Sequence, residues 1–191
     1  MISRNLSQEH KRVFIIGPAG VGKSTCGPIF AERLGFSFID LDSEFVRREG
    51  DVADYVRQHG YVSYGRRNTD LFFTLIEEQK HDSVFSISSG FLMYDQLDHS
   101  FSNNAKALNE LGVTILLLPS PSLDQSVDVV VSRVLSRRPW LDPDKETRKI
   151  LDRYPRYLRY GDIKIFSIES PGVIADRMKK EYLEYCKDQR T

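Results

Sequence analysis

The residues Gly17-Pro18-Ala19-Gly20-Val21-Gly22-Lys23-Ser24 fit the pattern G-x-x-x-x-G-K-[ST]. Each residue type has a physical reason to be there. Glycines let the backbone curl until successive N–H groups, including that of Val21, face one point and form an anion nest. A helix opening at this place adds the positive end of its dipole. A lysine at the position of Lys23 bridges the β- and γ-phosphates of a nucleotide. A hydroxyl at the position of Ser24 ligates Mg²⁺, and Thr25 follows beside the phosphates. By average residue frequencies such a match arises by chance in under ~1% of chains this long.

Further along stand other groups suited to the same chemistry. Asp40 and Asp42 are two residues apart at the end of an apolar run, one placed to hold Mg²⁺ through water and one to take or orient the proton of an attacking hydroxyl. As a structural alternative, Asp42 or Ser43 caps the next helix. Arg138, in a Pro-flanked turn, is suited to stabilising charge on a transferring phosphoryl group. The histidines, His10, His59, His81 and His99, have no metal-ligand spacing. Cys26 and Cys186 cannot make a disulfide framework and fit a reducing compartment.

These groups need a frame, and the alternation of elements supplies one. Short apolar runs at Val13–Ile16, Phe36–Asp40, Ser83–Ser88, Val113–Leu118 and Ile163–Ile168 read as strands. Helical stretches are expected over Gly22–Leu34, Ser43–Glu49, Asp51–His59, Val62–Lys80, Ser122–Ser136 and Lys145–Leu158, the last bent at Pro155. Ile174, Met178, Tyr182 and Tyr185 mark a final amphipathic helix. The segment 92–110 reads as a loop and a helix without clear bounds. Five strands alternating with helices predict an α/β fold, a parallel sheet covered on both faces, and one domain over 1–191.

The 191 residues are 40% apolar, enough to bury a core, and balance 27 basic against 27 acidic side chains. That balance offers no overall pull toward nucleic acid or an anionic membrane. The polar start from Met1 to Arg12 has no apolar signal-peptide core, and the longest aliphatic run is far too short to span a bilayer. A cytoplasmic monomer is expected, acting on ATP and a small hydroxylated acid. Neither the D-x-x-G nor the N-K-x-D of GTPases occurs, which leaves the small kinases that close a basic lid over the phosphates.

Taken in order, the motifs resemble those of the shikimate kinase family. Thr25-Cys26-Gly27 with Ala31 and Leu34 is similar to its first helix after the phosphate loop. Phe38-Ile39-Asp40-Leu41-Asp42 resembles its F-x-D-x-D, and Ile87-Ser88-Ser89-Gly90 stands in the place of its glycine triplet. Arg138-Pro139-Trp140-Leu141 resembles its lid motif R-P-L-L, and Arg153-Tyr154-Pro155-Arg156-Tyr157 its R-x-P-x-Y. The resemblance implies a three-layer P-loop kinase with strand order 2-3-1-4-5, a lid at about 136–146 and Mg²⁺-dependent transfer from ATP to shikimate, a step of aromatic amino acid biosynthesis. By the same resemblance Arg133 stacks on adenine, Arg153 clamps the acceptor's carboxylate, and Ser88, Ser89 and Gly90 line the acceptor.

The acceptor side departs from the family. Its substrate arginine follows G-E-x-x-F-R-x-x-E, whereas this chain reads Gly60-Tyr61-Val62-Ser63-Tyr64-Gly65-Arg66-Arg67-Asn68. Gly65 takes the arginine's place, Arg66 lies one residue later, and the two glutamates become Tyr61 and Asn68. One residue turns a helical side chain by about 100°. If Arg66 swings in, shikimate is the expected acceptor; if it points away, another hydroxylated acid is. A same-fold kinase for a polyol or sugar acid, and a nucleotide-binding regulator with a degenerate acceptor site, are the remaining alternatives.

Overall fold

In a computed structural model, which describes residues 10–96 and 103–189, the strand Arg12–Ile16 (β1) lies at the centre of the sheet. Its alternating side chains face two cores: Phe14 and Ile16 point to one, Val13 and Ile15 to the other. A strand buried on both sides must be apolar along its length, which is why the run read so clearly. The polar start of the chain falls mostly outside the described residues, as does His99.

The remaining elements are α1 (Lys23–Leu34), β2 (Ser37–Asp40), α2 (Leu41–Glu49), α3 (Val52–His59), α4 (Tyr61–Glu78) and β3 (Ser83–Ser86). A 3₁₀ segment, Phe91–Gln96, precedes α5 (Asn103–Leu111), β4 (Val113–Leu118), α6 (Leu123–Arg137), α7 (Pro143–Tyr157), β5 (Ile163–Phe166) and α8 (Pro171–Asp188). All pairings are parallel, in the order β2-β3-β1-β4-β5. The expected α/β architecture and strand order are therefore present. Phe14, Phe72, Phe85 and Phe91 form an aromatic cluster on the face carrying α2, α4 and the 3₁₀ segment. Phe30, Ile174, Met178 and Tyr182 cover the opposite face from α1 and α8.

Where boundaries differ from expectation, the cause is local. β3 ends at Ser86 because the chain then turns into the 3₁₀ segment, with Phe91 N–H bonding the Ser88 carbonyl at 3.0 Å. α2 begins at Leu41 because Asp40 is its cap, accepting from Ser43 N–H at 2.9 Å. α7 begins at Pro143, a residue with no N–H to leave unpaired in a first turn, behind the capping side chain of Asp142. Pro155 lies in its last turns, and the helix continues past it to Tyr157.

Parallel strands end together, so the loops after β1, β2 and β3 gather at one edge of the sheet, the customary ligand crevice of such folds. Tight backbone approach holds that sheet: a Cβ on Gly112 would lie 2.3 Å from the Arg12 carbonyl oxygen. Gly112→Ala is therefore expected to destabilise the protein by about 1–3 kcal/mol. Urea unfolding checks this, and an unchanged midpoint would show that β1 and β4 separate freely there.

Candidate active site

The phosphate loop joins β1 to α1, and its shape requires glycine. Gly17 has φ 145° and Gly22, the residue capping α1, has φ 106°. A Cβ on Gly17 would stand 2.4 Å from the Leu117 carbonyl oxygen. The loop is thus pressed against β4 and opens toward the N-terminus of α1, where the first-turn N–H groups lie. Lys23 is buried, and its ammonium donates to the carbonyls of Gly17 at 2.7 Å and Pro18 at 3.0 Å. Burial pushes its pKa down to about 8, against the pull of Asp42 and Asp40.

At the end of β2 the two carboxylates do different work. Asp40 accepts the Ser24 hydroxyl on Oδ2 at 2.6 Å and caps α2 with Oδ1. Burial raises its pKa, but the hydrogen bonds from Ser24 and Ser43 outweigh that and hold it below the ordinary value. The helix-capping role thus belongs to Asp40. Asp42, in the first turn of α2, is left for other contacts. It is open to solvent on one side, but crowding by protein on the others pushes its carboxyl above the ordinary value. Ser88, Lys23 and Arg138 act in the opposite direction.

Ser24 and Asp40 offer a hydroxyl and a carboxylate oxygen, hard donors that suit Mg²⁺. Among the described residues no group of three or more His, Cys, Asp or Glu side chains could cage a metal on its own. A donor set this small fits an ion that arrives with phosphates, as Mg²⁺ does.

Across the crevice, the turn after β3 faces Asp42. Ser88 Oγ donates to Asp42 Oδ1 at 2.5 Å. Tyr157 at the end of α7 donates to the Ser89 carbonyl. Gly90 packs so closely that a Cβ would sit 2.8 Å from the Tyr61 hydroxyl. That hydroxyl accepts from Arg153 Nη2 at 3.4 Å. The turn after β3 is thus linked to Asp42 through Ser88, and to Arg153 through the close approach of Gly90 to Tyr61.

In the N-terminal half of α4, Tyr64, Gly65 and Asn68 turn inward, while Arg66 and Arg67 stand on the exposed side. Arg67 pairs with Glu49 at 2.6 Å. Arg133 lies on α6 against the phosphate loop, its Cβ 3.6 Å from the place a Gly20 side chain would occupy. Arg138 is the residue at the C-terminal end of α6, exposed and close enough to act on the charge of Asp42. The residues that motif reading passed over are Tyr61, Tyr64, Asn68 and Tyr94. Two of them, Tyr61 and Asn68, were visible as departures from the family pattern. Tyr94 fell in a segment without periodicity.

The lowered pKa of Lys23 has a measurable consequence. Its charge is present below about 8 and lost as pH rises through that value. Affinity for the magnesium complex of a non-hydrolysable ATP analogue should fall between about pH 7 and about pH 9, where the nucleotide's own phosphates are already ionised. Lys23→Ala should bind weakly with a flat profile. Calorimetric titration tests this, and a pH-independent wild-type affinity would contradict it.

The shikimate kinase family model matches residues 19–185. A shikimate kinase of Colwellia psychrerythraea is 31% identical over 185 residues, covering 93% of this chain and 99% of its own. One from Persephonella marina is 30% identical, covering 81% of this chain and 88% of its own. Among solved structures, the shikimate kinase of Acinetobacter baumannii in complex with shikimate superposes with a TM-score of 0.71. It covers 92% of this chain and 94% of its own, and at 22% identity that likeness concerns the fold. The family match runs from within the phosphate loop through the carboxylate pair and the turn after β3 to α8, and the chain belongs to the shikimate kinase family.

Proposed function

We propose that the protein transfers the γ-phosphoryl group of ATP to a hydroxyl of shikimate, giving the phosphate ester and ADP. The observation that carries this reading is the hydrogen bond that joins the turn after β3 to Asp42 through Ser88, with Lys23 of the phosphate loop and Arg138 near enough to act on the Asp42 charge. Gly17, Gly20, Val21, Gly22, Lys23, Ser24 and Thr25 cradle the phosphates, and Arg133 flanks the adenine. Ser24 and Asp40 would hold the Mg²⁺ that enters with the nucleotide, which would supply charge neutralisation for the phosphates.

In the step itself the acceptor oxygen forms a bond to the γ-phosphorus as the bond to the β–γ bridging oxygen breaks. The hydroxyl proton passes to Asp42, and the electron pair of the broken bond leaves on ADP. A carboxyl whose proton affinity is raised by its surroundings is a better acceptor for that proton. Lys23 and Arg138 bring two positive charges to the equatorial oxygens. The segment 136–146, which carries Arg138 and the exposed Trp140, closes as the lid.

Arg153, held beside the Tyr61 hydroxyl, takes the acceptor's carboxylate. One observation favours a second reading. Arg66 stands on the exposed side of α4, and Gly65 leaves no cation on the inward side. Under that reading the acceptor is another hydroxylated acid, still dependent on Asp42 and Arg153.

A coupled ADP-release assay with shikimate at millimolar concentration separates the two. The expected outcome is turnover with shikimate that Lys23→Ala abolishes. ADP release with a different hydroxy acid and none with shikimate would favour the second reading. Arg138→Ala should lower kcat by about 10³-fold with a smaller effect on acceptor affinity. Arg153→Ala should weaken acceptor binding by roughly 10- to 150-fold. Wild-type kcat in the first variant would return Arg138 to the solvated surface.

A further inference from the structure

Beneath Asp42 lies a chain of buried polar side chains that the phosphate chemistry does not use. Tyr94 OH is 3.4 Å from Asn68 Oδ1, Asn68 Nδ2 is 3.2 Å from Ser88 Oγ, and Ser88 Oγ is 2.5 Å from Asp42 Oδ1. Tyr94 and Asn68 are wholly buried, and Ser88 is 5% exposed. The Tyr64 hydroxyl lies against both Ser88 and Tyr94. Polar groups removed from water cost free energy unless each finds a partner, so the three in line and Tyr64 beside them are held in one arrangement.

The direction of the chain follows from its end. An ionised carboxylate only accepts, so Ser88 must spend its single proton on Asp42. The Ser88 oxygen is then left as an acceptor, which requires the amide nitrogen of Asn68 on that side. The amide oxygen must in turn face Tyr94, whose hydroxyl donates. An asparagine is the side chain for this place, because one end accepts while the other donates. A carboxylate at position 68 would compete with Asp42 for the same serine proton.

We propose that Tyr94, Asn68 and Ser88 form a one-way hydrogen-bond relay that positions the Asp42 carboxylate toward the acceptor hydroxyl, with Ser88 and Asn68 as positioning residues. Asp42 needs such a hold. It sits in the first turn of α2 with one open side, and a carboxylate free to rotate presents either oxygen to the acceptor or neither. Ser88 fixes Oδ1 and leaves Oδ2 for the reacting proton. Ser88 is itself fixed from behind by Asn68, in the middle of the long helix α4. The relay also accounts for the serine at a position where a glycine would carry no hydroxyl. It rests on the proposed role of Asp42 as proton acceptor.

Two experiments test it. The first is single-turnover phosphoryl transfer to shikimate by the wild type, Ser88→Ala, Asn68→Ala and the double variant. Ser88→Ala removes one oxygen atom and should slow the chemical step on the order of 10- to 100-fold, a larger effect than any on shikimate affinity, leaving the KM for MgATP within about 3-fold. Asn68→Ala should slow the same step by less, and the double variant should be no slower than Ser88→Ala alone, since Asn68 acts through Ser88. Additive losses, or a wild-type rate in Ser88→Ala, would overturn the relay. The second needs no turnover: the side-chain amide resonances of Asn68, identified by their loss in Asn68→Ala, are followed by NMR. Ser88→Ala and Asp42→Ala should each move them, while Lys145→Ala on α7 should not. Resonances unmoved by Ser88→Ala and Asp42→Ala would also overturn the relay. If they move but the wild type leaves shikimate untouched, the substrate assignment fails and the relay stands.

Discussion

The hydrogen bond from Ser24 to Asp40, at 2.6 Å, joins the first turn of one helix to the start of another, and much of the site hangs from it. Its second oxygen caps α2, so one carboxylate fixes both the phosphate loop's helix and the helix that carries Asp42. The sheet makes this possible, because β1 and β2 run parallel with only β3 between them and end at the same edge. Remove that tie and the distance between phosphate loop and acceptor side is no longer set by local contacts. A cation bound by Ser24 and Asp40 would tighten the same joint.

The electrostatics of the crevice follow from uneven burial. Lys23 is enclosed and held by two carbonyls, so its proton is loosened. Asp40 is rich in donors and stays ionised, whereas Asp42 has fewer and binds its proton more tightly. Two carboxylates with only one residue between them are driven apart in acidity by their surroundings, and the proposed division of their tasks follows that separation.

Much of this was legible in the sequence. The phosphate loop announces itself because its geometry admits few residue types, and β1 and β4 because strands buried on both faces must be apolar. The strand order followed from resemblance to the family, and the sheet has it. What could not be read were contacts between distant segments. Asn68 and Ser88 are twenty residues apart and looked like two separate substitutions, yet they are one hydrogen-bonded unit. The assignment of Asp40 as the cap depends on where β2 stops, and strand ends are poorly marked by composition. Tyr94 lay in a segment with no period to place it.

α7 is a 15-residue rod whose C-terminal end is pinned twice, by Tyr154 to the Ser120 carbonyl at 2.7 Å and by Tyr157 to Ser89. Its N-terminal end emerges from the turn containing Arg138 and Trp140. At about 1.5 Å per residue the rod is about 22 Å long, so a tilt of about 5° about its C-terminal end would displace the N-terminal end by about 2 Å. Arg153 sits near the fulcrum, beside Tyr61. The helix joins the segment beside Tyr61 to the turn that carries Arg138 through one continuous element. Under the proposed roles of Arg153 and Arg138, acceptor binding and phosphoryl-group stabilisation thus share one structural element.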